Sequence, residues 1–431
     1  MFSIFAILRL SGYPVNKAQK YFRSIEKIED KLSWQKEQRW NIFSYHLINN
    51  PNYRKFIKSE VRNWEDIPIL KKENLRVSVK DLLPVGLKKR NIYFGSTSGS
   101  TGTPMNFARN KLFHVLVWLS ALTNYEKDGI LFNDLEARFY GIPISGLKKI
   151  KEKIKDLLSN RYRFVFYDLS DEIFIKWLYV FKKKRFKYIY GYTNSIIQFA
   201  KFLEKNNIVL SDVCPTLKRC IVTSETCDEN DYVFLKRQLG IPVSNEYGAS
   251  EVCVIGYRRE KVWEVSDELL FLEVVDENGN IIRDEKPGRL LCTLLHNKGM
   301  PVIRYDIGDI VSLKRSSGKT YITSLQGRSN DMCLLSSGKK VPGLTFYYAV
   351  REALQNEKDI KEHQVVQLSK EKIEVRIVTD SVLSSDIVKK VQSAFKVYLK
   401  DNIKIDVIKV AKIDRTKSGK FKHFINKMDN K

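Results

Sequence analysis

The segment Thr97-Ser98-Gly99-Ser100-Thr101-Gly102-Thr103-Pro104 is the stretch whose residue types most plainly could do chemistry. Hydroxyls interleaved with glycines let side-chain O–H and backbone N–H groups converge on phosphate oxygens, as a bound triphosphate requires. The segment follows a strand-like Ile92-Tyr93-Phe94 and runs into an extended Met105-Asn106-Phe107. No Gly-Lys-Ser/Thr closes it, so it is not a Walker loop. Four more segments follow in order: Asn245-Glu246-Tyr247-Gly248-Ala249-Ser250-Glu251, Arg304-Tyr305-Asp306-Ile307-Gly308-Asp309, Gly327-Arg328-Ser329-Asn330-Asp331, and Asp414-Arg415-Thr416-Lys417-Ser418-Gly419-Lys420. Taken singly, a Tyr-Gly pair is a turn, Gly-Asp a hairpin tip and Lys420 a solvated lysine. The order of all five is what carries information.

The elements that must position these residues can be read from periodicity. Residues 1 to about 90 read as helices and loops, punctuated by Pro51, Pro68 and Pro84. From there to about 260 the pattern predicts α/β structure. Helices are expected over Leu112 to Tyr125, Asp171 to Arg185 and Asn194 to Asn206, the last on a stripe of Ile196, Phe199, Ala200 and Leu203, with another ending near Gly240. Strands are expected at Ala137 to Ile142, Tyr188 to Gly191, Arg219 to Thr223 and Val243 to Asn245. That alternation implies a mainly parallel sheet flanked by helices. After Glu251, Leu269 to Val275, Ile281-Ile282 and Arg289 to Leu295 read as an antiparallel β subdomain turning at Glu277 to Asn280. Beyond it a small α+β unit is expected, with helices at Phe346 to Gln355 and Ser385 to Leu399 and strands at Gln364 to Leu368, Ile373 to Val378 and Ile403 to Val410. The boundary is placed so that 1–329 form the large domain and 330–431 the small one.

Composition bounds the reading. A chain of 431 residues, 43% apolar, is long enough for two cores. The six cysteines, at 214, 220, 227, 253, 292 and 333, lack zinc-clip spacing and read as reduced, mostly buried thiols of a cytoplasmic protein. Phe2 to Leu10 is too short to span a bilayer and lacks a leader's basic start, so core burial or a subunit contact is expected there, with weak membrane-surface contact the lesser reading. The net charge of +25 favours anionic partners without choosing one. Two basic runs, Lys148 to Lys155 and Lys182 to Lys187, read as solvated helix faces before any recruited partner. No nucleic-acid motif stands out.

The five ordered segments resemble those of the adenylate-forming superfamily of acyl-CoA synthetases, luciferases and peptide-synthetase adenylation domains. Asn50-Pro51-Asn52-Tyr53-Arg54, Ile67-Pro68-Ile69-Leu70-Lys71-Lys72-Glu73, Tyr190-Gly191-Tyr192-Thr193-Asn194-Ser195 and Thr223-Ser224-Glu225-Thr226 look like its phenylacetate-CoA ligase branch, especially the capsular-polysaccharide (CapK-like) members. The resemblance implies a large N-terminal domain binding ATP and acid, and a small mobile C-terminal lid carrying the catalytic lysine, Lys420. It implies that Thr97, Ser98, Gly99, Ser100, Thr101 and Gly102 hold the ATP phosphates and that Glu251, also catalytic, ligates Mg²⁺. Ser224, Glu225, Thr226, Asn245, Tyr247, Gly248, Asp309 and Arg328 would surround adenine and ribose, and Asn330 would be the hinge. Walls of the acid pocket are expected from Phe139 to Ser145, Tyr190 to Ser195 and Cys220 to Ser224, with Tyr140, Tyr192 and Ser195 foremost.

The implied reaction is activation of a small carboxylic acid as acyl-AMP, then transfer to a thiol, coenzyme A first in rank. Transfer to an acyl carrier protein or a sugar amine is the alternative. A rival of another class is a basic binding protein that kept the fold and lost catalysis; Glu251 and Lys420 argue against it. The sequence departs from the branch at Asn330, where Asp or Lys is frequent, at Asp414, often Pro, and at His423, often a basic residue. A Cys and His that some relatives place after the Tyr-Gly-x-x-Glu segment are absent from Tyr257 to Trp263, so no structural zinc is expected and Cys253 reads as a packed thiol.

Overall fold

The computed structural model describes the chain except residues 1–3, 77, 98–104, 132, 142–145, 166–169, 284, 329–331, 339, 355–356, 358, 399–402, 417–419 and 429–431. It divides into two compact units, Met1–Ile307 with Ser312–Ser324, and Gly308–Val311 with Leu325–Lys431.

In the first unit a hairpin of β1 (Ile92–Ser96) and β2 (Asn106–Asn110) precedes the long helix Lys111–Lys127. The main sheet follows. Its parallel strands are β3 (Glu136–Phe139), β4 (Arg161–Phe164), β5 (Tyr188–Tyr192), β6 (Arg219–Thr223) and β7 (Val243–Ala249). The strands expected to form a β subdomain continue the same sheet edge to edge: β8 (Cys253–Arg258), β9 (Trp263–Val265), β10 (Leu270–Val275), β11 (Gly288–Leu294), β12 (Tyr305–Ser316) and β13 (Lys319–Arg328). The order β10-β11-β12-β13-β9-β8-β7-β6-β5-β3-β4 makes one eleven-stranded sheet. The change from parallel to antiparallel pairing falls between β7 and β8, immediately after Glu251's turn.

Local sequence explains the elements. β6 reads Arg-Cys-Ile-Val-Thr and is buried at its last four residues, as a central parallel strand covered on both faces must be. The helix Thr193–Lys205 buries Ile196, Phe199, Ala200 and Leu203, the stripe expected from its spacing. Helix Glu229–Leu239 starts where the Asp228 carboxylate accepts from Asp231 N at 2.8 Å, and stops at Gly240, which takes the left-handed φ of +69° that glycine tolerates. The core between these helices and the sheet is aromatic, with Phe139, Phe164, Phe181 and Phe199 in mutual contact. Strand β3 ends at Phe139, before the expected end at Ile142, which lies outside the described residues; the Tyr140 ring packs beside Tyr192 with centroids 4.1 Å apart.

In the second unit β14 (Met332–Leu334) pairs with β15 (Lys340–Pro342), and a four-stranded sheet has the order β18-β17-β16-β19. Its strands are β16 (Ile360–Ser369), β17 (Lys372–Thr379), β18 (Lys404–Lys409) and β19 (Phe424–Asn426). Phe346 of helix Gly343–Ala353 stacks on Phe395 of helix Ser385–Tyr398 in its core. All six cysteines are buried and none forms a disulfide. Among the described residues no helix is long and apolar enough to cross a membrane.

Candidate active site

Thr97 and Met105 close the β1–β2 hairpin: Thr97 N donates to Met105 O at 2.8 Å and Met105 N to Thr97 Oγ1 at 2.9 Å. The other residues expected to hold phosphate, Ser98 to Gly102, lie outside the described residues. The hairpin is tied to Glu251 by Arg109 of β2. Its buried guanidinium donates from Nη2 to Ser250 O at 2.5 Å and Val252 O at 3.0 Å, the carbonyls on either side of Glu251. The Glu251 carboxylate itself is buried and accepts from Tyr305 OH at 3.1 Å. Arg109 and Tyr305 thus fix the backbone and the side chain of one carboxylate from two separate strands. Neither was singled out in the sequence; Tyr305 sits inside a motif read for Asp309, and Arg109 carries no local signal.

The residues of the first unit expected to line the acid pocket and to meet adenine gather at the carboxyl ends of the parallel strands. The connections leaving β3 and β5 run in opposite directions across the sheet, so the switch point where open α/β sheets bind ligands lies between them. Tyr140 and Tyr192 stand there, and Tyr140 OH meets Ser224 Oγ at 3.4 Å. Ser224 holds a positive φ of 69° directly after β6, a strained conformation for a residue with a side chain. Glu225 turns back to the helix Thr193–Lys205: its carboxylate accepts from Asn194 N at 2.8 Å and its carbonyl from Thr193 Oγ1 at 3.2 Å. Ser195, in the same first turn, is buried, while Thr226 is half-buried. Burial raises the pKa of the Tyr140 phenol above its ordinary value.

Strand β7 presents alternate side chains to opposite faces. Glu246 and Ser244 face the helix Lys111–Lys127: the Glu246 carboxylate accepts from Tyr125 OH and Tyr190 OH, each at 2.8 Å, and Ser244 Oγ donates to Asp128 at 2.9 Å. Desolvation raises the Glu246 pKa, with the two phenols opposing. Asn245 and Tyr247 take the other face, Asn245 buried and Tyr247 half-buried. Thr223 pairs with Glu246 across β6 and β7, so Ser224 and Tyr247 are the next residues along neighbouring strand ends. At Gly248 a β-bulge brings the chain so close to β8 that a Cβ would strike the Cys253 carbonyl. Cys253 is buried, and burial pushes its thiol up to about 12.

The second unit carries Asp309, Arg328 and Lys420. Asp309 is buried on β12, which neighbours β13, the strand that ends at Arg328. Asn330 lies outside the described residues. Thr416 N donates to Lys420 O at 2.9 Å and Lys420 N to Thr416 Oγ1 at 3.0 Å. The residues flanking this pair are fastened to β16, by the Arg415–Glu362 ion pair, by Gln364 Nε2 donating to Lys422 O at 2.7 Å and by Val365 N donating to His423 O at 3.0 Å. His423, where relatives of the branch often have a basic residue, packs its ring on Tyr347 at 4.2 Å, and burial drops its pKa to about 3.

Among the described residues no cluster of three or more His, Cys, Asp or Glu could hold a metal ion. Glu251, the expected Mg²⁺ ligand, is a single buried carboxylate, and a hard cation there would need its other oxygens from a bound triphosphate. One cavity, about 530 Å³, is lined by residues such as Lys36, Arg39, Phe271 and Arg315, none of them among those expected from sequence.

Residues 335–427 match the family model of the CapK C-terminal domain. The phenylacetate-coenzyme A ligase of Escherichia coli (strain K12) is 31% identical over 112 residues, which are 23% of this chain and 25% of that protein. The Thermus thermophilus enzyme of the same name is 32% identical over 108 residues, 22% of this chain and 24% of that one. The matched segments thus span about a quarter of these relatives. Among solved structures, 2-hydroxyisobutyryl-CoA ligase in its postadenylation state with 2-HIB-AMP superposes with a TM-score of 0.69 at 15% identity, covering 91% of this chain and 89% of that one. The anthranilate CoA ligase AuaEII with anthranoyl-AMP gives 0.54 at 16% identity, over 76% and 64%. The fold is that of the adenylate-forming ligases. About a quarter of the chain is similar to phenylacetate-CoA ligases, and residues 335–427 match the CapK-type C-terminal domain.

Proposed function

We propose that the protein activates a carboxylic acid with ATP as an acyl-AMP and passes the acyl group to a thiol, coenzyme A foremost. The observation that carries this reading is Glu251, one buried carboxylate fixed by Tyr305 and by Arg109 beside the hairpin that bears the Thr97-to-Gly102 loop. Phosphate binding falls to that loop, adenine and ribose to Ser224 to Thr226, Asn245, Tyr247, Gly248, Asp309 and Arg328, and the acid to the pocket of Tyr140, Tyr192 and Ser195. A carboxylate oxygen of the acid attacks the α-phosphorus, the bond to the β-phosphate oxygen breaks, and pyrophosphate leaves. Lys420 offsets charge building at the α-phosphoryl group. Mg²⁺, when bound to Glu251 and the triphosphate, would neutralise the leaving pyrophosphate. The thiol then displaces AMP at the acyl carbonyl. Residues 330–431 act as the lid between the two steps, turning at Asn330.

The phenylacetate-CoA ligase relatives support coenzyme A as acceptor and an aryl acid as substrate. The tyrosine-rich strand ends suit a flat acyl group. The CapK-type domain supports a place in polysaccharide biosynthesis, where an acyl carrier protein would be the second acceptor to try. Incubation with ATP, Mg²⁺, coenzyme A and a panel of aryl, hydroxy and fatty acids tests the reading by mass spectrometry. AMP and an acyl thioester are expected. ADP formation, or AMP formation indifferent to acid, would oppose it.

A further inference from the structure

A surface helix normally turns its apolar stripe toward the core. The helix Gly146–Leu158, between β3 and β4, does the reverse. Its sequence places Ile150, Ile154, Leu157 and Leu158 on one stripe at helical spacing, with Glu152 and Asp156 on the opposite side. The acidic side is the one that faces the sheet. Arg163 of β4 donates from Nε to Asp156 Oδ2 at 2.8 Å, and from Nη2 to Asp156 Oδ1 at 2.7 Å and Glu152 Oε2 at 3.2 Å. Asp156 is buried, whereas Ile150, Ile154 and Leu157 are 54%, 52% and 75% exposed. Three large aliphatic side chains on one stripe therefore face outward because polar bonds hold the other side of the helix down. β4 is the edge strand of the sheet, so the helix lies at its margin.

The occupant of that stripe is indicated by charge. The same helix carries lysines at 148, 149, 151, 153 and 155; of its two acidic residues Asp156 is engaged by Arg163, and Glu152 is shared between Arg163 and Lys155. A lysine-rich helix with an outward apolar stripe has the make-up of helices that lie in the plane of a membrane interface. A second copy of the chain is disfavoured, because a two-fold contact would set the same lysines against each other. We propose that helix Gly146–Leu158 is a reversible docking surface for anionic lipid bilayers, its lysines drawn to the headgroups and Ile150, Ile154 and Leu157 inserted at the interface. The proposal does not depend on the catalytic reading.

Flotation of the full-length protein with phosphatidylglycerol–phosphatidylcholine vesicles tests it, with pure phosphatidylcholine vesicles as control. Wild-type protein should float with the anionic vesicles alone, less so as salt rises. Replacing Ile154 and Leu157 together by Ser should lower partitioning roughly tenfold or more, and Lys153→Glu should also weaken it. Both changes are at exposed positions, so the melting temperature should stay at the wild-type value. Leu10→Ser, at an exposed position of the N-terminal helix, should leave binding unchanged. Absence of anionic-vesicle binding, or equal binding by the serine variant, would overturn the proposal. So would a dimer in light scattering that the serine variant converts to monomer, which would assign the stripe to a second copy.

Discussion

At the scale of single residues the site depends on how few groups are asked to do much. Arg109 spends one nitrogen on two carbonyls that bracket Glu251, and its burial means no water replaces it. Arg109→Met should leave both carbonyls short of a donor, costing about 1–3 kcal/mol of stability, and should let Glu251 drift. The Mg²⁺ concentration for half-maximal adenylation should then rise roughly tenfold while the acid's KM stays put, and Arg109→Lys should recover part of the loss. A thermal melt and a Mg²⁺ titration check the two halves; an unchanged Mg²⁺ dependence would deny Arg109 its positioning role. Lys420→Ala should lower acyl-AMP formation on the order of 10²-fold, the size of a lost electrostatic stabiliser, yet consume supplied acyl-AMP with the acceptor at near wild-type rate. Equal impairment of both half-reactions would contradict that division. The motif residues were legible because their types and order are local properties of the chain. Arg109 and Tyr305 were not, since each acts on a partner far away in sequence, Tyr305 on Glu251 and Arg109 on Ser250 and Val252.

At the scale of elements, sequence periodicity located the parallel half of the sheet well. Helix Asp171–Lys183 and strand Arg219–Thr223 fall within two residues of their expected ends, since each buries a continuous apolar run or stripe. The antiparallel half was legible as strands but not as a continuation of the same sheet, because edge-to-edge pairing is made by backbone bonds that leave no pattern in side chains. The same holds for the attachment of helix Lys31–Asn49. There Gln35 Nε2 reaches Asp267 O at 2.8 Å and Leu270 O at 2.7 Å in the turn before β10. Asp267 is buried in this joint, and desolvation lifts its pKa to about 6, with hydrogen bonds from Thr320 and Gln35 opposing and the Glu268 charge adding to the rise. A carboxyl whose folded pKa is raised keeps its proton where the unfolded chain has lost it, so its contribution to stability falls as pH climbs from about 4 to about 6. The difference in unfolding free energy between wild type and Asp267→Asn should therefore shift by up to about 3 kcal/mol across that window, read by urea unfolding. A difference independent of pH would place the Asp267 pKa at its ordinary value.

At the scale of the whole molecule, four histidines, His46 and His296 buried and His114 and His423 half-buried, tie stability to pH. His46, His114, His296 and His423 have pKa values lowered to about 4, 3, 4 and 3, each chiefly by burial. Unfolding lets them take up protons near pH 6.5, so their contribution is complete above that value and is lost as pH falls through it toward about 4. The denaturant midpoint should drop steeply between roughly pH 6.5 and 4.5, and a flat profile there would show that these rings are charged in the folded state. Acid-dependent exchange of labelled pyrophosphate into ATP is the decisive measurement for the proposed adenylation. With Mg²⁺ and a panel of aryl, hydroxy, fatty and amino acids, at least one acid should drive exchange well above the acid-free rate, and Glu251→Gln should abolish most of that increment. No acid-dependent exchange across the panel, or an increment that Glu251→Gln leaves intact, would contradict it.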